Sequence, residues 1–175
     1  MYDHSLIDEL LLMYQAKLGE DAGRYRHHVC RVYEHCLLLD PEREHHERYA
    51  LAAVFHDIGI WSAGTIDYLQ PSIAEASTYL TGHDKKELIA DVTLMINWHH
   101  KVTRYHGESE LLVETFRKAD WMDVSLGLIH FGVSRKQLRE CRRQFPTLGF
   151  HRFLLKQIAR NLLVHPLHPL PMFRK

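Results

Sequence analysis

Residues 52–59 read AAVFHDIG, an apolar run that ends in an adjacent histidine and aspartate, His56 and Asp57. An ionised carboxylate in apolar surroundings is costly unless it is paired or bound to a cation. A neutral imidazole beside a carboxylate suits a divalent metal with mixed nitrogen and oxygen ligands. The alternative is that His56 is an ordinary core histidine and Asp57 a helix-terminal turn residue before Gly59. The pair alone does not decide between these interpretations.

Apolar residues on both sides of this pair recur at helical spacing over nearly the whole chain. In residues 6–18, for example, they follow one another at intervals of three and four, and no segment alternates with the period of two that is typical of strands. We therefore predict an all-α fold, a bundle of about seven or eight helices. One domain is expected over residues 1–175, with the motif-bearing core at about 25–124 and basic C-terminal helices at about 134–164.

Residues that typically start or stop helices predict where these helices begin and end. The first helix is expected to run unbroken through residues 6–18. Pro41 suits the first turn of the third helix. Asp84 is expected to cap the long helix that begins directly after Asp84. Residues 60–70 are expected to form a loop, and a proline-punctuated tail follows Val164.

Composition limits the classes of protein open to this chain of 175 residues. It is 46% hydrophobic and 25% charged, which is typical of a globular protein rather than a disordered one. No apolar run approaches the ~18–20 residues of a membrane span, and the acidic N-terminus does not resemble a secretory signal. Three cysteines without CxxC spacing predict reduced thiols. We expect a cytoplasmic protein with no membrane partner.

The formal net charge of zero hides an asymmetry. From Ser134 onwards, ten Lys and Arg residues stand against Glu140 alone, a net charge of +9, and the first 133 residues carry −9. A basic third of this kind can attract an anionic ligand or nucleic acid. Because it follows an amphipathic helical pattern and matches no nucleic-acid motif, nucleic acid is not the expected partner. It is expected to dock on the acidic part of the chain or to form a rim that attracts phosphate.

Two further segments place metal-ligand residues on helices. His28 shares a helical face with Val32 and His35, the face expected to be buried. Asp120 lies among apolar neighbours in ADWMD, residues 119–123. One histidine, the His-Asp pair and this aspartate lie on three separate helices, and in a bundle core they can converge as four ligands.

This set of residues resembles the HD superfamily of metal-dependent phosphohydrolases. The resemblance covers about residues 25–124 and depends on the order His28, His56-Asp57 and Asp120. It implies an HD-domain-like bundle in which these four residues bind one divalent metal ion: manganese, iron, nickel, cobalt or magnesium. It also implies a phosphoester substrate, a nucleotide or another small phosphorylated metabolite.

The sequence of this chain departs from the motifs of two branches of the superfamily, which narrows the set of members that it resembles. Its guanosine-tetraphosphate hydrolases carry an acidic pair three and four residues after the HD aspartate, where this chain has Ile60 and Trp61. Its cyclic-di-GMP phosphodiesterases carry a Gly-Tyr-Pro motif, which this chain lacks. The chain is most similar to the small, stand-alone bacterial HD hydrolases.

Four residues are candidates for binding substrate or a second metal. The pair His99 and His100 resembles histidines that ligate a second ion in binuclear members, and at most one is expected to point at the site, because adjacent helical residues face different ways. Lys101 suits phosphate, or it is a solvated lysine at a helix end. Arg31 either contacts substrate or forms a structural ion pair.

Two acids and the remaining histidines complete the candidate residues. Glu75 is a candidate general acid or base, with an exposed helix carboxylate as the alternative. Asp123, one turn after Asp120, is expected to support a ligand or cap a helix rather than to bind metal. His151 and the other unmatched histidines are expected at the surface.

The function predicted from these residues is metal-assisted hydrolysis of a phosphoester. The metal would supply an acidic water, which Asp57 or Glu75 would position or deprotonate. His99, His100 and Lys101 would neutralise phosphate charge in the transition state. Two alternatives stay open: a catalytically silent HD domain that binds a nucleotide or protein partner, and a di-iron HD-type oxygenase. A second ion and a homodimer are also left open.

Overall fold

Helices form the whole architecture of the computed structural model, which describes residues 3–164. The α-helical segments are α1 (Ser5–Met13), α2 (Gln15–Leu18), α3 (Ala22–Leu39), α4 (His46–Phe55), α5 (Gly59–Ser62), α6 (Leu69–Gly82), α7 (Ile89–Trp98), α8 (Glu110–Val124), α9 (Arg135–Gln144) and α10 (Phe150–Val164). No β-strand occurs in this range. Among the described residues, α2 and α5 are single turns, and the other eight helices confirm the prediction of an all-α bundle of seven or eight.

The helix at the centre of the bundle is α3, which packs along α8 and also contacts α1 and α4. Its apolar side chains recur at intervals of three and four, and Val29, Val32 and Cys36 are fully buried. Burial of such a valine contributes about 1.5–3 kcal/mol. Helix α7 packs against both α4 and α8. The four helices α3, α4, α7 and α8 therefore form a closed ring of neighbours, and side chains on their inner faces can meet.

Three of the predicted helix boundaries are wrong. The first helix is interrupted at Tyr14, between α1 and α2. Pro41 lies outside any helix and α4 begins at His46, because the intervening chain folds around the carboxylate at the end of α3. Asp84 does not cap α7: its backbone is left-handed, with φ 55°, and α7 begins only at Ile89 after a 3₁₀ turn. Each correction comes from a local turn that competes with the helical period.

The chain after the His-Asp pair is held firmly against α6. The predicted loop at residues 60–70 instead contains most of α5 and the start of α6. The Gly59 amide donates to Ser72 Oγ at 2.9 Å, and a Cβ at Gly59 would collide with the carbonyl oxygen of Tyr68. Only glycine tolerates this close approach of the two backbones. The approach fixes the chain immediately after Asp57.

The basic helices α9 and α10 both contact α3. The proline-punctuated tail predicted after Val164 lies outside the described residues. Within residues 3–164, every helix is too short or too polar to cross a membrane. The prediction that residues 1–175 form one domain stays a prediction.

Candidate metal centre

Three buried histidines direct their Nε2 atoms into one cluster. His28 comes from the middle of α3, His56 follows α4, and His99 follows α7; none is exposed to solvent. Each ring donates its Nδ1–H to an oxygen outside the cluster, as metal-binding histidines characteristically do. The acceptors are Asp123 Oδ2 at 2.7 Å for His28, Ala53 O at 2.8 Å for His56, and Ile96 O at 2.6 Å for His99. The three rings are therefore oriented before any ligand arrives.

Two buried carboxylates face these nitrogens. Asp57 Oδ2 lies 3.6 Å from His28 Nε2 and 3.4 Å from His56 Nε2. Asp120 Oδ1, from α8, lies 3.9 and 3.8 Å from the same two atoms. The structure thus brings together all four residues that the sequence nominates as ligands: His28, His56, Asp57 and Asp120. They meet because α3, α4 and α8 are mutual neighbours.

The electrostatics of the cluster favour a positive charge among its donor atoms. The Nε2 atoms of His28 and His56 are 2.9 Å apart, and two lone pairs at that distance need a proton or another cation between them. Burial lowers the pKa of His56 to about 3. Burial opposes a charge on His28 as well, but hydrogen bonds with Asp123 and Asp57 raise its pKa to about 9.

The carboxylates differ in their affinity for a proton. Burial raises the pKa of Asp57, but the imidazoles of His56, His28 and His99 more than offset it and hold the pKa well below its usual value. Burial raises the pKa of Asp120 to about 7, against the opposing charges of His99 and His28. Asp57 is therefore the firmly ionised acid of the pair.

Two donor atoms in the cluster have no hydrogen-bond partner among the described residues. They are Asp57 Oδ1 and His99 Nε2, which lie 3.5 Å apart. Unpartnered buried polar atoms are rare and costly. Two groups of donors, each with its ligand atoms within 4.8 Å of one another, share Asp57: one is His28, His56 and Asp57, and the other is Asp57, His99 and His100. Each of these two groups of donors could hold a metal ion.

His99 and His100 are not equivalent, as their adjacency predicts. His99 is fully buried and faces Asp57, whereas His100 is partly exposed and its Nε2 lies 2.6 Å from the hydroxyl of Tyr68. Tyr68 lies in the segment expected to be a loop, and the sequence does not indicate this contact. No spacing signal links Tyr68 to His100, because Tyr68 directly precedes α6 and His100 follows α7.

Arg31 and Asp123 form a buried ion pair beneath the cluster. Arg31 Nε donates to Asp123 Oδ1 at 2.5 Å, and a second guanidinium nitrogen donates to Oδ2 at 2.9 Å. The guanidinium also donates to the carbonyl oxygen of Phe145 at 3.0 Å. Arg31 is fully buried, so the structure favours its role as a structural ion pair over substrate contact. Asp123 orients His28, as its position one turn after Asp120 predicts.

Helix α10 covers the cluster. The ring of Phe150 stacks on His28 with centroids 4.0 Å apart and planes at 16°, and Phe150 is fully buried. His151, expected at the surface, is half-buried instead, and its Nε2 lies 3.0 Å from the carbonyl oxygen of Asp123. The side chains of Asp57 and Asp120 are only 5% and 6% exposed, so the centre is closed to bulk solvent.

Glu75 and Lys101 are placed away from these contacts. Glu75 accepts hydrogen bonds from the hydroxyl of Tyr14 at 2.9 Å and from Lys17 at 3.1 Å, on the outer side of α6. These contacts give no support to an acid–base role for Glu75 and favour the alternative of a helix-surface carboxylate. Lys101, two residues after His99, is partly exposed, and its role toward phosphate stays a prediction.

Comparisons with known protein families, with curated proteins and with solved structures find no match to this chain. Relatives therefore supply neither a function nor a set of site residues. The chemistry of the centre has to be inferred from its donor atoms, their burial and their distances.

Proposed function

We propose that this protein is a metal-dependent phosphohydrolase of the HD superfamily. The observation that carries the proposal is the inward orientation of three buried imidazoles around the ionised carboxylate of Asp57. Asp57 Oδ1 and His99 Nε2 face each other at 3.5 Å and make no hydrogen bond among the described residues, so both atoms are available to a bound ion. Mixed nitrogen and oxygen donors of this kind suit a divalent transition ion or magnesium.

His28, His56, Asp57 and Asp120 would hold the ion, which is manganese, iron, nickel, cobalt or magnesium. When bound, such an ion polarises phosphoryl oxygens and makes a coordinated water acidic enough to supply hydroxide near neutral pH. Asp57, the firmly ionised acid of the centre, is the residue that can orient that water through its carboxylate.

The remaining candidates act on the phosphate of the substrate. His99 faces Asp57 directly, and His100 adjoins it with its ring held by Tyr68. These two histidines would hold a second ion or donate to phosphoryl oxygens, and Lys101 would add positive charge at the mouth of the site. Phe150 stacks on His28, so α10 covers the cluster on the side of that histidine.

The experiment that tests this proposal uses the purified full chain. Its metal content is measured, and hydrolysis of an aryl phosphate and of nucleoside monophosphates is assayed with manganese and with excess chelator. We expect phosphate release that needs the metal. A protein that holds its metal but hydrolyses none of these phosphates would contradict the proposal and favour a silent domain that binds a nucleotide or a partner.

The shared carboxylate of Asp57 favours one second candidate, a di-iron oxygenase. Two donor groups that meet at one carboxylate can hold two ions side by side. This function requires two tightly bound irons per chain, so elemental analysis that finds one metal ion per chain would exclude it.

A further inference from the structure

A second concave site lies outside the metal centre, between the start of α3 and the outer face of α10. Its volume is about 480 Å³, within the range of ligand-binding pockets. Four cationic side chains line it: Arg24, Arg152, Lys156 and Arg160. No carboxylate is among its lining residues. We call this site the basic groove.

The spacing of the positive charges in the basic groove destabilises the folded protein when no anion is bound there. Arg152, Lys156 and Arg160 follow one another at intervals of four along α10, and like charges at this spacing repel by a few tenths of a kcal/mol per pair. Within residues 3–164, no carboxylate forms an ion pair with any of the three. An anion bound among them would remove the repulsion.

Contacts among Phe153, Trp61, Arg24 and Asp21 form one wall of the basic groove. Phe153 stacks on Trp61 with centroids 5.2 Å apart and planes at 7°, and the guanidinium of Arg24 lies over Phe153 at 5.7 Å. Asp21 fixes both neighbours, since it accepts from Trp61 Nε1 at 2.9 Å and pairs with Arg24 at 3.0 Å. Phe153 therefore has Trp61 and Arg24 as its ring partners, so the groove recognises charge rather than an aromatic base.

We propose that the basic groove binds a small oligophosphate, a chain of two or three phosphates. Arginine side chains suit phosphate because their planar guanidinium groups donate in pairs to its oxygens. The stripe from Arg152 to Arg160 spans eight residues of helix, about 12 Å, which matches a chain of phosphates better than a single one. A small ligand fits an open groove of this volume, whereas nucleic acid needs a basic surface that extends beyond four side chains.

The basic groove is distinct from the metal centre, although the two sites share helices. Arg24 precedes His28 by one turn of α3, and Phe153 follows Phe150 by one turn of α10. Phe150 closes the metal centre and Phe153 lines the groove. Binding in the groove therefore does not depend on the proposed hydrolase activity and can be measured without it.

Calorimetric titration of the full chain with inorganic tripolyphosphate tests the proposal, at 0.15 M NaCl so that weak long-range attraction is screened. We expect saturable binding of one ligand per chain, and weaker binding of orthophosphate. The double variant Arg152→Ala/Arg160→Ala should raise Kd about tenfold or more. The control variant Arg139→Ala/Arg143→Ala removes the same charge from exposed positions of α9 and should change Kd by less than about threefold.

Further titrations identify the source of the phosphates and the place of binding. ATP that binds as tightly as tripolyphosphate would assign the basic groove to the triphosphate of a larger molecule, and tripolyphosphate alone would assign it to an inorganic chain; both support the proposal. Asp57→Asn should retain tripolyphosphate binding. Three results would overturn the proposal. They are an equal loss of tripolyphosphate binding in the two double variants, a loss of that binding in Asp57→Asn alone, and displacement of tripolyphosphate by a short oligothymidylate.

Discussion

Asp57 contacts all three buried histidines of the metal centre, with one carboxylate oxygen toward His28 and His56 and the other toward His99. It is also the carboxylate shared by both donor groups. Replacement by asparagine keeps the shape of the side chain and removes the charge. Because a neutral amide attracts a cation less than a carboxylate does, we expect the charge of this one residue to determine whether the candidate centre binds a metal ion.

Asp57→Asn should lose most of the bound metal, whereas Glu75→Gln should keep it. Both variants change a carboxylate to an amide, but Glu75 contacts Tyr14 and Lys17 rather than the cluster. Metal per chain, measured by elemental analysis after gel filtration, checks the expectation. A full metal complement in Asp57→Asn would refute the ligand assignment, and loss of metal in Glu75→Gln would show that Glu75 contributes to metal binding.

Asp123→Asn should destabilise the fold by about 3–5 kcal/mol, because it leaves the buried guanidinium of Arg31 without a counter-charge. Asp8→Asn is the matched control: Asp8 accepts two hydrogen bonds from Arg26 in the same two-pronged manner, but this pair is exposed. Such surface pairs contribute about 0–1 kcal/mol. Urea unfolding of both variants measures the difference, and equal losses would show that burial of the Arg31 pair does not matter.

At the scale of elements, the connection between α3 and α4 is organised by one carboxylate. Asp40 ends α3 and accepts from the hydroxyl of Tyr49 at 2.6 Å, from His45 Nδ1 at 2.7 Å and from the Glu42 amide at 3.2 Å. These contacts hold the segment that replaces the predicted start of helix at Pro41.

Asp40→Asn should cost about 1–3 kcal/mol near neutral pH, because the amide replaces a charged acceptor of three hydrogen bonds. Burial raises the pKa of Asp40, but the hydrogen bonds from Tyr49, His45 and Glu42 outweigh it and lower the pKa. The stability that the carboxylate contributes is therefore present above its unfolded pKa of about 3.9 and is lost as pH falls through the folded value.

The unfolding free energies of wild type and Asp40→Asn should consequently begin to converge below about pH 4 and meet only below the lower folded pKa of Asp40. Urea unfolding in a series of buffers from neutral pH to well below the unfolded pKa measures this. A gap that stays constant across the series would mean that the charge of Asp40 contributes nothing and that only its shape matters.

At the scale of the whole molecule, the ring of α3, α4, α7 and α8 surrounds the metal centre, and α10 closes it. A ligand bound at the junction of several helices stabilises the folded state alone, because those helices separate on unfolding. Metal binding and global stability should therefore be linked, even though the helices themselves are held by apolar burial.

Removal of the metal by a chelator should lower the melting temperature of the wild-type protein by about 5–10 °C, if the metal was present at about 100 times its Kd. Readdition of manganese should restore the original value. The melting temperature of Asp57→Asn should be insensitive to both treatments, which separates occupancy of the centre from a general effect of chelator. Unchanged melting of wild type in chelator would contradict a metal bound among these helices.

The sequence by itself determined the all-α class and the four candidate ligands. Helical spacing of apolar residues predicts buried faces directly, and a histidine or aspartate on such a face needs a partner that its neighbours along the chain do not supply. His28, His56-Asp57 and Asp120 were found in this way. The predicted helix starts at Pro41 and Asp84 were wrong. Turns around Asp40 and a left-handed backbone at Asp84 compete with the helical period.

Only the tertiary structure decided how the ligands are supported and covered. The Arg31–Asp123 pair, the contact of Tyr68 with His100 and the stacking of Phe150 on His28 join residues between 32 and 122 positions apart. The basic groove likewise needs Arg24 and the stripe on α10 to lie side by side. No periodicity along a chain records which helices become neighbours, because that depends on how all the apolar faces are buried together.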